Sequence, residues 1–115
     1  MANTFKVVTK AGVTSADVIY TVAGSTTTVV LGLMLGNTTS SSINATVTLG
    51  TDTSNRAGNN DEANQAVELI TSTPIPGNSS LELLAGNKVV METSDTLSVT
   101  ASGATDVVLS IMEIT

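Results

Sequence analysis

The chain has 115 residues, the length of one domain with its own core, and 41% of them are hydrophobic. Ten Asp and Glu against four Lys and Arg give a net charge of −6, and the four cations, Lys6, Lys10, Arg56 and Lys88, are scattered, which excludes nucleic-acid binding through clustered cations. With no His and no Cys, Ser-His-Asp triads, Cys-His pairs, disulfide frameworks and most zinc sites are excluded as well.

Phe5 and Tyr20 are the two aromatic residues, so Val, Leu, Ile, Ala and Met must fill the core. Ser and Thr supply roughly 30% of the chain, above ordinary usage, and β-branched residues suit a pleated, half-buried surface. The composition predicts an all-β protein. Charged residues are 12% of the sequence, below the share that keeps small domains apart, which favours a homo-oligomer or an assembly. The opening Met-Ala-Asn-Thr-Phe-Lys has no basic stretch followed by an apolar one, so no signal peptide is expected. The longest apolar run, Val29–Leu35, is about a third of the ~20 residues a membrane helix needs, and no membrane partner is expected. Asn-x-Ser/Thr matches at Asn37, Asn44 and Asn78 are taken as chance in so hydroxyl-rich a chain.

In chain order, Thr4–Lys10 reads as a first strand, broken by Ala11-Gly12. Ala16–Val22 follows and ends at the turn Ala23-Gly24-Ser25. Thr27–Leu35 is apolar on both faces, with Val29, Leu31, Leu33 and Leu35 on one and Val30 and Met34 on the other. Such a strand lies mid-sheet or under a second layer. Gly32 within it marks a bulge, a close backbone approach or room for a bulky neighbour. After the turn cluster Gly36–Ser42, Ile43–Leu49 alternates cleanly between Ile43, Ala45, Val47, Leu49 and Asn44, Thr46, Thr48. The short polar linker between these two runs suggests a hairpin.

Residues 50–65 form a long polar loop, and loops of that length are functional or mobile. Ala66–Ile70 is the next strand, and Pro74 and Pro76 hold Thr73 and Ile75 extended. Leu81–Leu84, Lys88–Glu92, Leu97–Ser102 and Val107–Thr115, each closed off by a turn signal, read as a four-strand antiparallel meander. About eight or nine strands, with no linker or repeat, predict one antiparallel β-sandwich over residues 1–115, jelly-roll or immunoglobulin-like, with a small barrel as the alternative.

Chemistry is hard to find. Nothing marks any two of the ten acids as a catalytic pair, and aromatic platforms for sugars are nearly absent. The run Asn59, Asn60, Asp61, Glu62 lacks the alternate spacing of a calcium loop, and no glycine-rich phosphate cradle precedes a helix. The expectation is a non-enzyme with no cofactor and no metal. Asp95 suits an Asx-type turn role, and Glu113 reads as an edge charge blocking further strand pairing. Phe5, on an N-terminal segment 1–10 able to reach a neighbour, and Arg56, in the polar loop, are the candidate interface residues.

Tyr20–Leu49 (YTVAGSTTTVVLGLMLGNTTSSSINATVTL), Thr73–Ser102 (TPIPGNSSLELLAGNKVVMETSDTLSVTAS) and the terminal Val107–Ile114 (VVLSIMEI) resemble small virion structural proteins of tailed bacteriophages, the marine and cyanobacterial phages in particular. The shared pattern is a two-faced strand before Asn-Thr-Thr, an Ile-Pro-x-Gly-Ser-Ser-Leu turn, here Ile75-Pro76-Gly77-Asn78-Ser79-Ser80-Leu81 with Asn78 in place of its Gly, and strands Gly-Asn-Lys-Val-Val-Met-Glu and Asp-Thr-Leu-x-Val-Thr-Ala-Ser. The resemblance covers most of the chain outside the 50–65 loop. It implies a non-enzymatic β-sandwich on the virion, assembled in the host cytoplasm. First in order stands a capsid decoration (cement) protein, a homotrimer bound to the major capsid protein. A neck, tail or baseplate protein bound to another virion protein is the alternative, and a host-glycan-binding module follows.

Overall fold

The computed structural model describes residues 2–51, 65–84 and 87–115. Among them are nine strands and no helix: β1 (Asn3–Val13), β2 (Ala16–Thr21), β3 (Thr27–Asn37), β4 (Ile43–Thr51), β5 (Gln65–Ile75), β6 (Ser80–Leu83), β7 (Val89–Met91), β8 (Thr96–Ala101) and β9 (Thr105–Ile114). They form two antiparallel sheets. Sheet A runs β1-β9-β3-β6, with the short β7 also paired to β3, and sheet B runs β2-β8-β4-β5. The sheets face each other as a sandwich and do not close into a barrel. The first four strands alternate between sheets and the first lies beside the last, which is the double Greek-key order of a jelly roll.

Two expected pairings are overturned. β6 through β9 are not a meander: β6 and β7 pair β3, β8 lies between β2 and β4, and β9 lies between β1 and β3. Nor do β3 and β4 form a hairpin, since residues 38–42 carry the chain from sheet A to sheet B. In both cases the strands' inner faces are buried against the opposite sheet, and that burial outweighs the ease of pairing with the next strand in sequence.

The core lies between the sheets. Val30, Leu35, Leu109 and Ile111 of sheet A meet Val47, Leu97, Val99 and Ile75 of sheet B, all essentially without solvent contact. Each such side chain contributes about 1.5–3 kcal/mol. β3 does not keep one parity along its length. Thr28 and Val30 point inward, the register shifts between Val30 and Gly32, and Leu33, Leu35 and Asn37 then point inward. Leu31 is the extra residue of a β-bulge, so the expected single face of Val29, Leu31, Leu33 and Leu35 is split. A Cβ on Gly32 would meet nothing within 4 Å, so the glycine does not mark a close backbone approach. A similar shift between Val18 and Tyr20 in β2 turns Tyr20 inward.

Pro74 sits in β5, an edge of sheet B, where its missing N–H is tolerated. Ala11-Gly12 does not end β1. The strand continues to Val13 through a register shift, with Gly12 at φ +66°.

Candidate interaction surface

Cross-strand register aligns side chains into rows on the outer face of sheet A. Phe5 pairs Met112, Met112 pairs Val29 and Val29 pairs Val90, giving an apolar row across four strands. A second row runs Thr9, Val108, Met34, Glu82. Between them lies Val7, Ser110, Gly32. At sheet spacings these rows are ~6.6 Å apart and ~14 Å long. Phe5 is 72% exposed, Val7 63% and Val90 57%, with Met34 and Val108 also exposed. The small Gly32 and Ser110 leave a shallow depression of about 200 Å³, walled by Leu31, Met34, Val108 and Glu82.

The outer face of sheet B is of the opposite character. Thr100 pairs Thr46, Ser98 pairs Thr48 and Thr96 pairs Gly50, a hydroxyl-bearing surface on which Val18 is the exposed large apolar residue. Five hydroxyl side chains, Thr46, Thr48, Thr96, Ser98 and Thr100, thus line this face. Solvated hydroxyls need no partner, whereas contiguous exposed apolar side chains mark interaction sites.

At the seam between the sheets, Glu113 is held from two elements. Lys6 Nζ of β1 lies 2.7 Å from its Oε1, and Tyr20 of β2 donates from its hydroxyl to Oε2 at 2.6 Å. The Thr28 hydroxyl lies 2.7 Å from Tyr20 Oη, and with the phenol proton given to Glu113, Thr28 is the donor there. The hydrogen bond from Lys6, then that from Tyr20, holds the Glu113 carboxyl below its usual 4.5. Burial, then the bond to Glu113, pushes the Tyr20 phenol up to about 12. The chemistry of this cluster is cohesive: it locks the protons in place rather than poising one for transfer. Glu113 lies on β9, inside sheet A, so the expectation that it guards a sheet edge is corrected. Lys10 and Asp17, 3.5 Å apart, close the same seam nearer the β1–β2 corner.

Asp95 has the structural role expected of it. It is fully buried, its Oδ2 accepts from the Glu92 amide at 2.9 Å, and its own amide donates to the Glu92 carbonyl at 3.0 Å. Asn37, which the sequence showed only as part of a turn cluster, is a second buried polar anchor. Its Nδ2 donates to the carbonyls of Ser41 at 2.8 Å, Ile75 at 2.9 Å and Pro76 at 3.2 Å. Its Oδ1 accepts from the Thr39 amide at 2.9 Å and the Thr39 hydroxyl at 2.8 Å.

Of the two candidate interface residues, Phe5 stands at the end of the apolar row. Arg56 and the acidic run 59–62 lie outside the described residues. Among the described residues no three Asp or Glu side chains gather as a metal site, and no helix is long and apolar enough to cross a membrane.

No protein-family model matches the chain, and no curated protein matches its sequence. A search of solved structures found a chain from work on Bacillus endospore appendages, described as a novel family of disulfide-linked pili. It is 14% identical, aligned over 99% of this chain and 87% of that one, with a TM-score of 0.48. A likeness that distant carries no argument about this protein, whose fold rests on its own strand order.

Proposed function

We propose that this chain is a non-enzymatic structural protein of a bacteriophage virion, a decoration protein that seats the outer face of sheet A on the major capsid lattice and turns the hydroxyl face of sheet B to solvent. The observation that carries this reading is the apolar row Phe5, Met112, Val29, Val90 beside the depression at Gly32 and Ser110. A chain with 12% charged residues and one outer face left apolar is built to be covered. The virion context comes from the sequence resemblance. A rigid sandwich repeated over a lattice, as a homotrimer at each position, gains its hold by avidity, so each single contact can be modest.

The test is to titrate the purified chain onto empty phage heads, and in parallel onto isolated tails, and to count bound copies by quantitative gel or cryo-electron microscopy. Saturation in proportion to the number of capsomers supports decoration. Binding to a few sites at the neck or tail, with bare capsomers, moves the protein to that part of the particle. A chain that ignores both refutes the reading.

A further inference from the structure

β1 is a long edge strand held by its ladder more than by its side chains. It is an edge of sheet A, with β9 as its ladder partner. From Asn3 opposite Ile114 to Lys10 opposite Val107 the pairs run without interruption, and Ala2 and Thr115 exchange both backbone hydrogen bonds at 3.0 and 2.9 Å. Yet of its 11 residues, only Val13 is buried and Val8 half-buried; the others are exposed. β1 is rich in ladder bonds and poor in core contacts. It is also jointed at its far end. The register shifts between Lys10 and Val13, Gly12 stands at φ +66°, and Thr14 and Ser15 alone separate β1 from β2 in the opposite sheet.

We propose that β1 is an exchangeable strand by which copies of this chain join: β1 of one copy leaves its own β9 and completes sheet A of the next copy, in the same antiparallel register. The second copy is the fitting occupant because it offers an identical acceptor. Every ladder bond re-forms across the junction, as do the ion pair of Lys6 with Glu113 and the bond from the Gly12 amide to Asp106 Oδ1 at 2.9 Å. Of the strand's own side chains, few leave the interior: Val8 is half-buried and Val13 buried, and the rest are already exposed. Gly12, free of a Cβ, lets the chain swing about the joint. A donor-to-acceptor junction of this kind is heterologous, so it builds a closed ring or an open chain. Since closed and exchanged forms share their contacts, copy concentration decides between them. The changeover lies where it matches the effective concentration set by a short connection, on the order of mM. This goes beyond the proposed virion role and does not rest on it.

The test uses the whole chain, which has no cysteine. Val7 and Ser110 are Cα partners on the outer face of β1 and β9, at a spacing a disulfide can bridge. The variant Val7→Cys with Ser110→Cys is refolded from urea at concentrations from about 10 μM to about 2 mM, oxidised and run on a non-reducing gel. Exchange predicts an internally bonded monomer at the dilute end and disulfide-linked dimers, trimers or a ladder as the main product at the concentrated end. Internally bonded monomer at every concentration overturns the proposal. The pair Met34→Cys with Val108→Cys joins β3 to β9 and is expected to stay monomeric throughout; the same ladder from it means random oxidation and also overturns the proposal. Light scattering on the unmodified chain, refolded over the same range and then diluted, keeps the test open should a variant misfold. Oligomers that persist on dilution support exchange, and a monomer at all concentrations refutes it.

Discussion

Replacing Asn37 by Ala removes one side chain and unfastens two sheets. The residue ends β3 in sheet A, and its amide reaches Ile75 at the end of β5 in sheet B, while also shaping the crossover through Thr39 and Ser41. Four of its hydrogen bonds are 2.9 Å or shorter, and the one to Ile75 is buried. At a net worth of about 1 kcal/mol each, less what solvent recovers at the partly exposed partners, the loss is about 3 kcal/mol. That is a large share of the 5–15 kcal/mol of an ordinary domain. With a urea slope of about 1.5 kcal/mol/M, the unfolding midpoint drops by about 2 M. Asn37→Asp sharpens the experiment. It keeps the shape but sets a carboxylate oxygen against three carbonyl oxygens, so at neutral pH it should cost at least as much as Ala. Part of the loss should return at low pH, where a protonated acid can donate once. Equilibrium urea unfolding followed by far-UV circular dichroism reads all three proteins. An Ala variant within about 0.5 M of the parent, or an Asp variant milder than Ala at neutral pH, would refute the account of Asn37 as the clasp between sheets.

Glycine substitutions should divide sharply. A Cβ on Gly77 would stand 2.4 Å from the Ser40 carbonyl carbon and oxygen, so Gly77→Ala should cost about 2–4 kcal/mol, whereas Gly32→Ala, with nothing within 4 Å, should stay within about 0.5 kcal/mol; thermal unfolding of the pair checks this. Glu113 is depressed below 4.5, so its contribution is present at neutral pH and lost as pH falls from 4.5 through its folded value; Glu113→Gln should remove that part of the acid limb. Tyr20 is raised to about 12 from 10.0, so its contribution is present below 10.0 and lost as pH rises through about 12; Tyr20→Phe should flatten stability over that alkaline window. Phe5→Ser with Val90→Ser alters two exposed side chains, so stability should shift by less than about 1 kcal/mol while occupancy on heads falls several-fold; unchanged occupancy would remove the outer face of sheet A from the proposed contact.

Nine strands were legible in the sequence, most of them to within two or three residues, because alternation and turn residues are local signals, though β5 runs on to Ile75, five residues past its expected end. The Gly24-Ser25 turn, the Asp95 turn and the extended Thr73 and Ile75 all follow from such signals. Partnership was not legible. β9 must cross the length of the chain to reach β1, and no local pattern distinguishes that from pairing with β8. Parity failed at the bulges, since inserting Leu31 and Ile19 as extra residues reverses the faces beyond them. The contact surface was half visible. Phe5 was singled out as a lone aromatic near the N-terminus, but the row it begins depends on register across four strands. Asn37 was hidden in a polar cluster; its one signal was an amide directly after a long apolar strand.

The adjacency of first and last strands also sets a timetable. During synthesis β1 emerges early, while β9, the partner of both β1 and β3, is made last. At about 5–20 residues per second, the intervening chain takes roughly 5–20 s to appear. Sheet B can assemble from β2, β4, β5 and β8 in that interval, but sheet A must wait for β9. Ribosomes crowded on one message would then hold several unpaired first strands near each newly finished last strand, raising the local copy concentration at which the proposed exchange competes with pairing to self.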